Sequence, residues 1–282
     1  MPKSALFWQR FSPQKLFALS LLLALTAFFI FPFYWIVTGA FKLQDVAIAM
    51  PPELYPKNPV TDNFKTLFTP LTLRWFANSL FISLSTTLLV VSTASLAGYA
   101  LAKKRFPLAK VIFVIFIAAM TLPKQVILIP LLKFITELGL MDSYSALILP
   151  AVGWPFGVFL MKQFSQSIPS ELLESARMDG CGELRTFFSV VLPIIKPGVG
   201  ALAIFTFITS WNDYFSQLIF TNSEHMKTLP LGLAALSQSA EFTINYGVLM
   251  AGALLASLPM IVVFLSFQSY FTQGITMGAV KG

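Results

Sequence analysis

The feature that most constrains this chain is an apolar stretch of 25 residues, 16–40, which contains no charged side chain. At about 1.5 Å per residue, a helix of that length crosses the roughly 30 Å hydrocarbon core of a bilayer. A signal peptide has a shorter apolar region followed by small residues, whereas Phe31–Trp35 in this stretch are large. We therefore predict a retained membrane-spanning helix.

Five further apolar stretches follow and indicate an integral membrane protein. The composition agrees, because 56% of the residues are hydrophobic and only 11% are charged. We predict one all-helical transmembrane domain covering residues 1–282 and surrounded by membrane lipid. Its six predicted spans are residues 16–40, 78–102, 111–131, 145–161, 198–220 and 247–267.

Polar residues and prolines interrupt the later stretches. Pro123 and Lys124 lie in the third stretch, and a charge at the membrane centre costs about 3 kcal/mol, so this part is expected near the outer surface or against protein. In the fifth, Asp213 follows Trp211 and Asn212 and is an acid within an apolar stretch. It lies near a solute pathway or is a hydrogen-bonded structural acid that holds two helices together, and the sequence leaves both interpretations open.

A polar segment, residues 169–193, separates the fourth and fifth stretches and carries signals for two short helices. Ser170 is a suitable N-cap, and Gly180 and Gly182 suit a left-handed helix end. A second helix is predicted from Glu183 until the next proline interrupts it. This segment is therefore expected to fold as helix, tight turn and helix.

The charge of this segment opposes that of the whole chain. The net charge is +7, yet residues 171–185 contain four acids and two bases, which suggests a docking surface for a separate protein. The basic excess does not require nucleic acid, because it follows the positive-inside rule. With both termini in the cytoplasm, 12 of the 19 Lys and Arg residues lie in cytoplasmic segments. We therefore predict that both termini and residues 169–193 are cytoplasmic.

Three motifs, in this order, resemble one family and together extend the resemblance over nearly the whole chain. Residues 174–181, ESARMDGC, followed by Leu192-Pro193, resemble the EAA loop of the membrane subunits of binding-protein-dependent ABC importers, with a serine and a cysteine in place of alanines. Residues 210–214, SWNDY, and the ending 270–282 resemble the carbohydrate branch of that family, which includes permeases similar to those for maltose and glycerol phosphate.

The resemblance implies a type I importer permease in a bacterial inner membrane, with a coupling helix between spans 4 and 5. It implies that an extracytoplasmic binding protein delivers a sugar or sugar-like solute. Separate ATPase subunits would supply energy, and a second, different permease would complete the pathway. The residues implied in ATPase coupling are Glu174, Ala176, Asp179 and Gly180.

Two further regions are interpreted by position. Residues 221–246 are predicted as a long outer loop that reaches the binding protein. The ending is predicted as an extended tail in which Gly278 and Lys281 form a second ATPase contact or simply follow the last helix.

Several kinds of chemistry have no support in the sequence. It contains no G-x-x-x-x-G-K-[ST] phosphate loop, so ATP hydrolysis is assigned to another subunit and the chain is not expected to be an enzyme. One cysteine and one histidine, His225, predict no metal site or cofactor. Two alternatives remain: an ion-coupled secondary transporter, for which Asp213 is the sole candidate carboxylate, and an ABC permease for a non-sugar solute. A structural assembly factor would leave the EAA-like loop unexplained.

Overall fold

The computed structural model describes residues 13–238 and 245–279, and within these ranges it contains helices and no strand. This confirms the predicted all-helical class. In chain order the helices are α1 (Pro13–Ala40), α2 (Gln44–Ala47), α3 (Asp62–Leu67), α4 (Pro70–Lys103), α5 (Ala109–Met120), α6 (Lys124–Glu137), α7 (Tyr144–Val152), α8 (Pro155–Gln166), α9 (Ser170–Met178), α10 (Glu183–Thr186), α11 (Leu192–Ile194), α12 (Lys196–Trp211), α13 (Phe215–Phe220), α14 (Leu229–Gln238) and α15 (Tyr246–Ala279). A π-helical turn, Phe187–Val191, joins α10 to α11, and a 3-10 turn, Glu224–Met226, precedes α14.

Long helices and bent helix pairs supply the candidate membrane spans among the described residues. Three helices are long and apolar enough to cross a membrane, namely α1, α4 and the Tyr246–Ser269 part of α15. Three bent pairs pass the same test if each pair is one span: α5 with α6, bent by 107°, α7 with α8, bent by 40°, and Glu183–Ile194 with α12, bent by 81°. The predicted count of six fits this set and stays a prediction.

The helix ends differ from the predicted spans in the later part of the chain. The predicted span 111–131 is broken at residues 121–123, where Pro123 lacks a backbone donor. The predicted span 198–220 stops at Trp211, and α13 resumes the helix after Asn212–Tyr214. These departures place irregular backbone inside apolar sequence.

The chain divides into two compact units, and the first comprises residues up to Thr69 together with Ser237–Leu255. Its α1 is apolar and almost entirely exposed, as expected of a helix that faces lipid. The buried Asn63 side chain donates from Nδ2 to the carbonyl oxygens of Ala40, at 2.9 Å, and Lys42, at 2.7 Å. Asn63 thereby satisfies carbonyl groups that the end of α1 leaves without a helical partner.

The second unit, Pro70–Leu236 with the chain from Ala256 onward, is built around α4, which packs against α7, α8 and α12. Gly98 of α4 lies so close to α8 that an added Cβ would be 2.6 Å from backbone atoms of Met161 and Lys162. Small residues allow helix backbones to approach in this way inside membranes.

The predicted outer loop 221–246 contains more helix than expected, since both the 3-10 turn and α14 lie in it. The amino-terminal end of α4 organises this region: the Trp75 indole donates to the Glu224 carbonyl oxygen at 2.7 Å. Asn78 donates to the carbonyl oxygens of His225 and Lys227 at 2.8 and 2.9 Å. The His225 side chain is exposed.

Asp142 ties the connection between α6 and α7 to the residues after α13. Its Oδ1 accepts from the Asn222 and Ser223 backbone N–H groups at 2.9 and 3.1 Å, and its Oδ2 accepts from the Ser223 hydroxyl at 2.6 Å. The Ser223 hydroxyl, followed by the two backbone donors, holds the pKa of Asp142 below its usual value. The ionised carboxylate therefore stabilises this connection.

Candidate functional site

The segment 169–193 forms the predicted helix, turn and helix, with one change at its start. Helix α9 begins at Ser170, and Pro169, in an extended conformation, occupies the cap position without a side-chain hydrogen bond. The prediction that Ser170 is the N-cap was therefore wrong. Pro169 has the φ of −59° that its ring imposes, and the helix follows it directly.

The end of α9 is a Schellman turn centred on Gly180. Cys181 N–H donates to the Ala176 carbonyl oxygen and Gly180 N–H donates to that of Arg177, both at 2.9 Å. Gly180 has a φ of +76°, which a residue with a Cβ adopts only with strain. Gly182 has a φ of −68°, so its predicted left-handed conformation was wrong.

The second helix of the segment continues past the point where a proline was predicted to stop it. Helical backbone runs from Glu183 through the π-helical turn to Ile194, and the bend of 81° comes after it. The wider turn precedes Pro193, whose ring would clash with the carbonyl group four residues earlier in a regular α-helix. The bend between the two helical parts therefore lies after Ile194, near Lys196, and not at Pro193.

Apolar side chains of this hairpin reach into the core beneath it. Ile168, Leu173 and Phe187 are buried in one cluster with Tyr99 of α4 and Met161 of α8. The rings of Tyr99 and Phe187 have centroids 5.7 Å apart. The hairpin is therefore packed against α4 and α8 through apolar contacts.

Two lysines at the end of α4 add polar contacts to the same junction. Lys103 Nζ donates to the carbonyl oxygens of Gln166, at 3.2 Å, and Ile168, at 2.5 Å. Lys104 forms an ion pair with Glu183, whose Oε1 is also 3.7 Å from Arg177 Nη2. The hydrogen bond from Lys104, and then the positive charges of Lys104 and Arg177, hold the pKa of Glu183 below its usual value.

The four residues implied in coupling occupy different positions on this hairpin. Ala176 is buried, whereas Glu174, Asp179 and Gly180 are exposed. Beside them, apolar side chains are exposed outside the predicted spans: Met178 is 89% exposed and Leu184 68%. Contiguous exposed apolar patches mark protein interaction surfaces, and these two side chains are candidates for such a patch on an otherwise polar segment.

A second candidate region is a cavity of about 490 Å³ in the second unit. Its wall includes residues at or beside three helix breaks, at 121–123, 153–154 and 212–214, together with Thr86 from the middle of α4. Irregular backbone at membrane depth is tolerated where it is buried in protein or faces a water-filled cavity. All three breaks therefore lie beside the same cavity.

The predicted trio Trp211, Asn212 and Asp213 is divided by the structure. Trp211 is buried, and its indole donates to the Ala256 carbonyl oxygen at 3.0 Å. Asn212 donates back to the Ile208 carbonyl oxygen at 2.9 Å. Asp213 lines the cavity, where its Oδ2 is 2.6 Å from Lys124 Nζ. Asp213 thus both connects two segments and faces a cavity, which are features of the two interpretations left open above.

Some residues of these regions carried no usable signal in the sequence. Each of these features depends on contact between segments that are distant in the sequence. They are the pairing of Lys124 with Asp213, the burial of Gln217 and Thr86 in the cavity wall, and the contacts of Lys103 and Lys104. Pro123 and Gly153 lie at two of the helix breaks beside the cavity, but Pro and Gly are also common in membrane helices, so they do not identify a cavity by themselves.

The ending of the chain differs from the predicted extended tail. Backbone of α15 is helical through Ala279, so Gly278 lies in a helix. Lys281 lies outside the described residues. The second ATPase contact predicted for this ending stays a prediction.

Comparison with known proteins decides the family. The family described as "Binding-protein-dependent transport system inner membrane component" matches residues 94–277, more than half of the chain. The chain belongs to this family. It is thus a multi-pass membrane subunit of a binding-protein-dependent transport system, as the three motifs predicted.

Individual relatives agree with this assignment. The chain is 36% identical to the arabinooligosaccharides transport system permease protein AraQ of Bacillus subtilis, over 97% of this chain and 98% of that one. It is 30% identical to the trehalose/maltose transport system permease protein MalG of Thermococcus litoralis, over 90% and 92%. These are permease proteins, which confirms the prediction of a transport subunit and not an enzyme.

A solved structure shows the same fold. A chain from a bacterial ABC transporter involved in the import of the acidic polysaccharide alginate superposes with a TM-score of 0.80 at 21% identity, covering 93% of this chain and 99% of that one. This likeness confirms the predicted importer-permease fold.

Proposed function

We propose that this chain is a permease subunit of an ATP-driven importer for a sugar or sugar-like solute. The relatives named above are permeases for arabinooligosaccharides and for trehalose and maltose, which supports a carbohydrate. The cavity supports it as well, since hydroxyl, amide and charged side chains share its wall with an indole ring. An extracytoplasmic binding protein delivers the solute to the outer face, and a second, different permease subunit completes the pathway.

The hairpin 169–193 is the proposed ATPase contact. The single observation that carries this assignment is that three apolar side chains, Leu172, Met178 and Leu184, are exposed on a polar segment outside the predicted spans. Burial of apolar area would stabilise attachment, by about 25 cal/mol per Å². Glu174 and Asp179 are exposed on the same hairpin, Ala176 is buried beneath α9, and Gly180 provides the turn.

Transmission then follows from the contacts beneath the hairpin. When ATPase subunits move α9, Leu173 and Phe187 carry the displacement to Tyr99 and Met161 in the core. Lys103 and Lys104 hold the same junction through charge-assisted hydrogen bonds. The charge distribution of the sequence supports a cytoplasmic position for this hairpin and for both termini.

Co-purification tests the docking surface. Met178→Glu places a charge on the exposed apolar surface, and we expect it to reduce the amount of ATPase subunit that co-purifies with the tagged permease. Met50→Glu is the matched control, because Met50 is 91% exposed and lies in the other unit. Equal ATPase recovery from both variants would contradict the assignment.

Transport assays separate this proposal from an ion-coupled transporter. In proteoliposomes containing the whole complex, sugar uptake should require ATP and the binding protein. Uptake driven by an ion gradient without ATP would instead support the secondary transporter. Truncation after Gln273 tests the contact proposed for Gly278 and Lys281, and unchanged coupling in that variant would remove it.

A further inference from the structure

The charges around the cavity balance one another. In the described part of the chain, the cavity wall contains two charged side chains, Lys124 and Asp213, and these lie 2.6 Å apart. Asp213 Oδ1 also accepts from the Ser216 backbone N–H at 3.2 Å. Among the described residues, the wall therefore contains no cation without a counter-charge, and an anionic solute entering it would meet the Asp213 carboxylate beside the Lys124 ammonium group.

Neutral polar groups in the same wall lack partners. Gln217 and Thr86 are each 2% exposed, and Gln217 Oε1 and Thr86 Oγ1 form no hydrogen bond within the described residues. Both oxygens are fully covered, so a water or solute hydroxyl reaches them only after a small side-chain movement, and a donor that does so removes the cost of an unpaired buried oxygen. A sugar carries many such donors.

We propose that this cavity is a transit site for a neutral sugar unit, and that the Lys124–Asp213 pair discriminates against anionic sugars. This inference rests on the proposed function, because it concerns the solute of the same importer. It assigns direct solute contact to this subunit and names the charge class of the solute.

A neutral sugar can bond both charged groups of the wall without breaking the ion pair. Its hydroxyls can donate to the Asp213 carboxylate and accept from Lys124, whose ammonium group has three donors. Trp154 also lines the cavity, and an indole ring can pack against the apolar C–H surface of a sugar. A uronate would have to compete with Asp213 for Lys124 and would be repelled by the remaining carboxylate.

Direct binding to the assembled complex tests the proposal. The complex of this chain with its second permease and ATPase subunits is purified without binding protein, both nucleotide-free and with a bound ATP analogue. Equilibrium dialysis then measures two radiolabelled probes. The neutral probe is whichever of arabinotriose, maltotriose or raffinose the reconstituted system takes up, and the acidic probe is a mannuronate trisaccharide. In at least one state, we expect the neutral probe to bind about tenfold more tightly or better.

Two substitutions should move this preference in opposite directions. Asp213→Asn leaves Lys124 unpaired, so the preference for the neutral probe should fall by about tenfold. Lys124→Gln leaves Asp213 unpaired, so the preference for the neutral probe should rise by a similar factor. If Asp213→Asn does not assemble, the preference measured in Lys124→Gln tests the proposal by itself. Asp62→Asn is the control, because it breaks an exposed ion pair with Lys65 and should leave the preference unchanged.

Each remaining outcome overturns the proposal. Equal binding of both probes to the wild type would do so, as would absence of binding of the transported sugar in both states. A lower unfolding temperature with an unchanged preference in both variants would show that the ion pair is only structural. Failure of the proposed function is a separate result: the reconstituted wild type, with ATP and binding protein, would take up none of the neutral sugars.

Discussion

The hairpin 169–193 and the cavity differ in how the chain builds them, although each takes part in one ion pair between distant segments. Lys104 and Glu183 are 79 residues apart in sequence, and Lys124 and Asp213 are 89 apart. The hairpin consists of one continuous segment whose turn is closed by neighbouring residues. The cavity exists only because three helix breaks, far apart in sequence, meet around α4.

The two ion pairs also differ in which partner is exposed. At the hairpin the acid is the exposed partner, with Glu183 61% and Lys104 24% exposed, whereas in the cavity it is the base, with Lys124 55% and Asp213 18% exposed. Water and salt therefore reach each pair through one partner. We infer that apolar packing holds the hairpin and that the Lys104–Glu183 pair contributes little to it. The Lys124–Asp213 pair, in contrast, is part of the proposed solute site. The following predictions test this contrast, from the largest expected effect to the smallest.

The largest effect is expected at Gly98, because the hairpin depends on the close approach of α4 and α8. Gly98→Ala places a Cβ 2.6 Å from backbone atoms of α8, and we expect destabilisation of about 3 kcal/mol. Thermal unfolding of the purified complex measures it. Gly153→Ala is the control, since an added Cβ at Gly153, beside the cavity, meets no atom within 4 Å. A similar unfolding temperature for both variants would show that the helices can separate freely.

The next effect concerns the turn of the hairpin. Gly180→Val introduces a branched side chain at a φ of +76°, with expected strain of about 2 kcal/mol. The membrane part should fold, while ATPase attachment weakens. Gly182→Val is the matched control, because Gly182 has a φ of −68° and open space around it. ATPase recovery from the two variants gives the comparison, and equal recovery would remove the requirement for this turn.

A smaller effect is expected at Asp142, which supports the cavity wall from outside. Its N–H donates to the Phe220 carbonyl oxygen at 2.9 Å, at the end of α13. Asp142→Asn removes the charge but tolerates the φ of +57°, so we expect a loss of about 1 kcal/mol at neutral pH. Unfolding temperatures of the two proteins measure this loss.

The pH dependence of that loss follows from the lowered pKa of Asp142. A lowered folded-state pKa means that the contribution is fully present above the unfolded value, about 3.9, and disappears as the pH falls through the folded value. The wild type should therefore approach the stability of Asp142→Asn under acid conditions. A difference that stays constant with pH would contradict the role of the ionised carboxylate.

The smallest effect on stability is expected at Glu183. Glu183→Gln weakens an exposed pair, so the change should be below about 1 kcal/mol and should shrink with added salt. We expect a modest fall in sugar transported per ATP hydrolysed. Glu171→Gln, which removes an exposed acid of α9, is the control. A loss of assembly in Glu183→Gln would show that charge, and not apolar packing, holds the hairpin.

The sequence by itself determined the class of protein and the position of the hairpin. Uncharged apolar stretches require membrane helices, because backbone groups in lipid must be paired within one segment. The turn at Gly180 lies within one short segment, so its left-handed conformation could be predicted from neighbouring residues. The predictions of Ser170 as the N-cap and of Gly182 as a left-handed residue were wrong, because neighbouring residues satisfy the same local pattern equally well.

The tertiary structure alone decided the cavity and its charge balance. Periodicity reports which segments are helical, but it does not state which breaks meet in space, so Lys124 and Asp213 could not be paired from the sequence. The structure of residues 221–238 could likewise not be predicted from local pattern, because Gly232 in α14 packs so closely against Trp75 that an added Cβ would be 2.1 Å from its ring. Local patterns depend on residues a few positions apart, whereas a site depends on packing between segments that are distant along the chain.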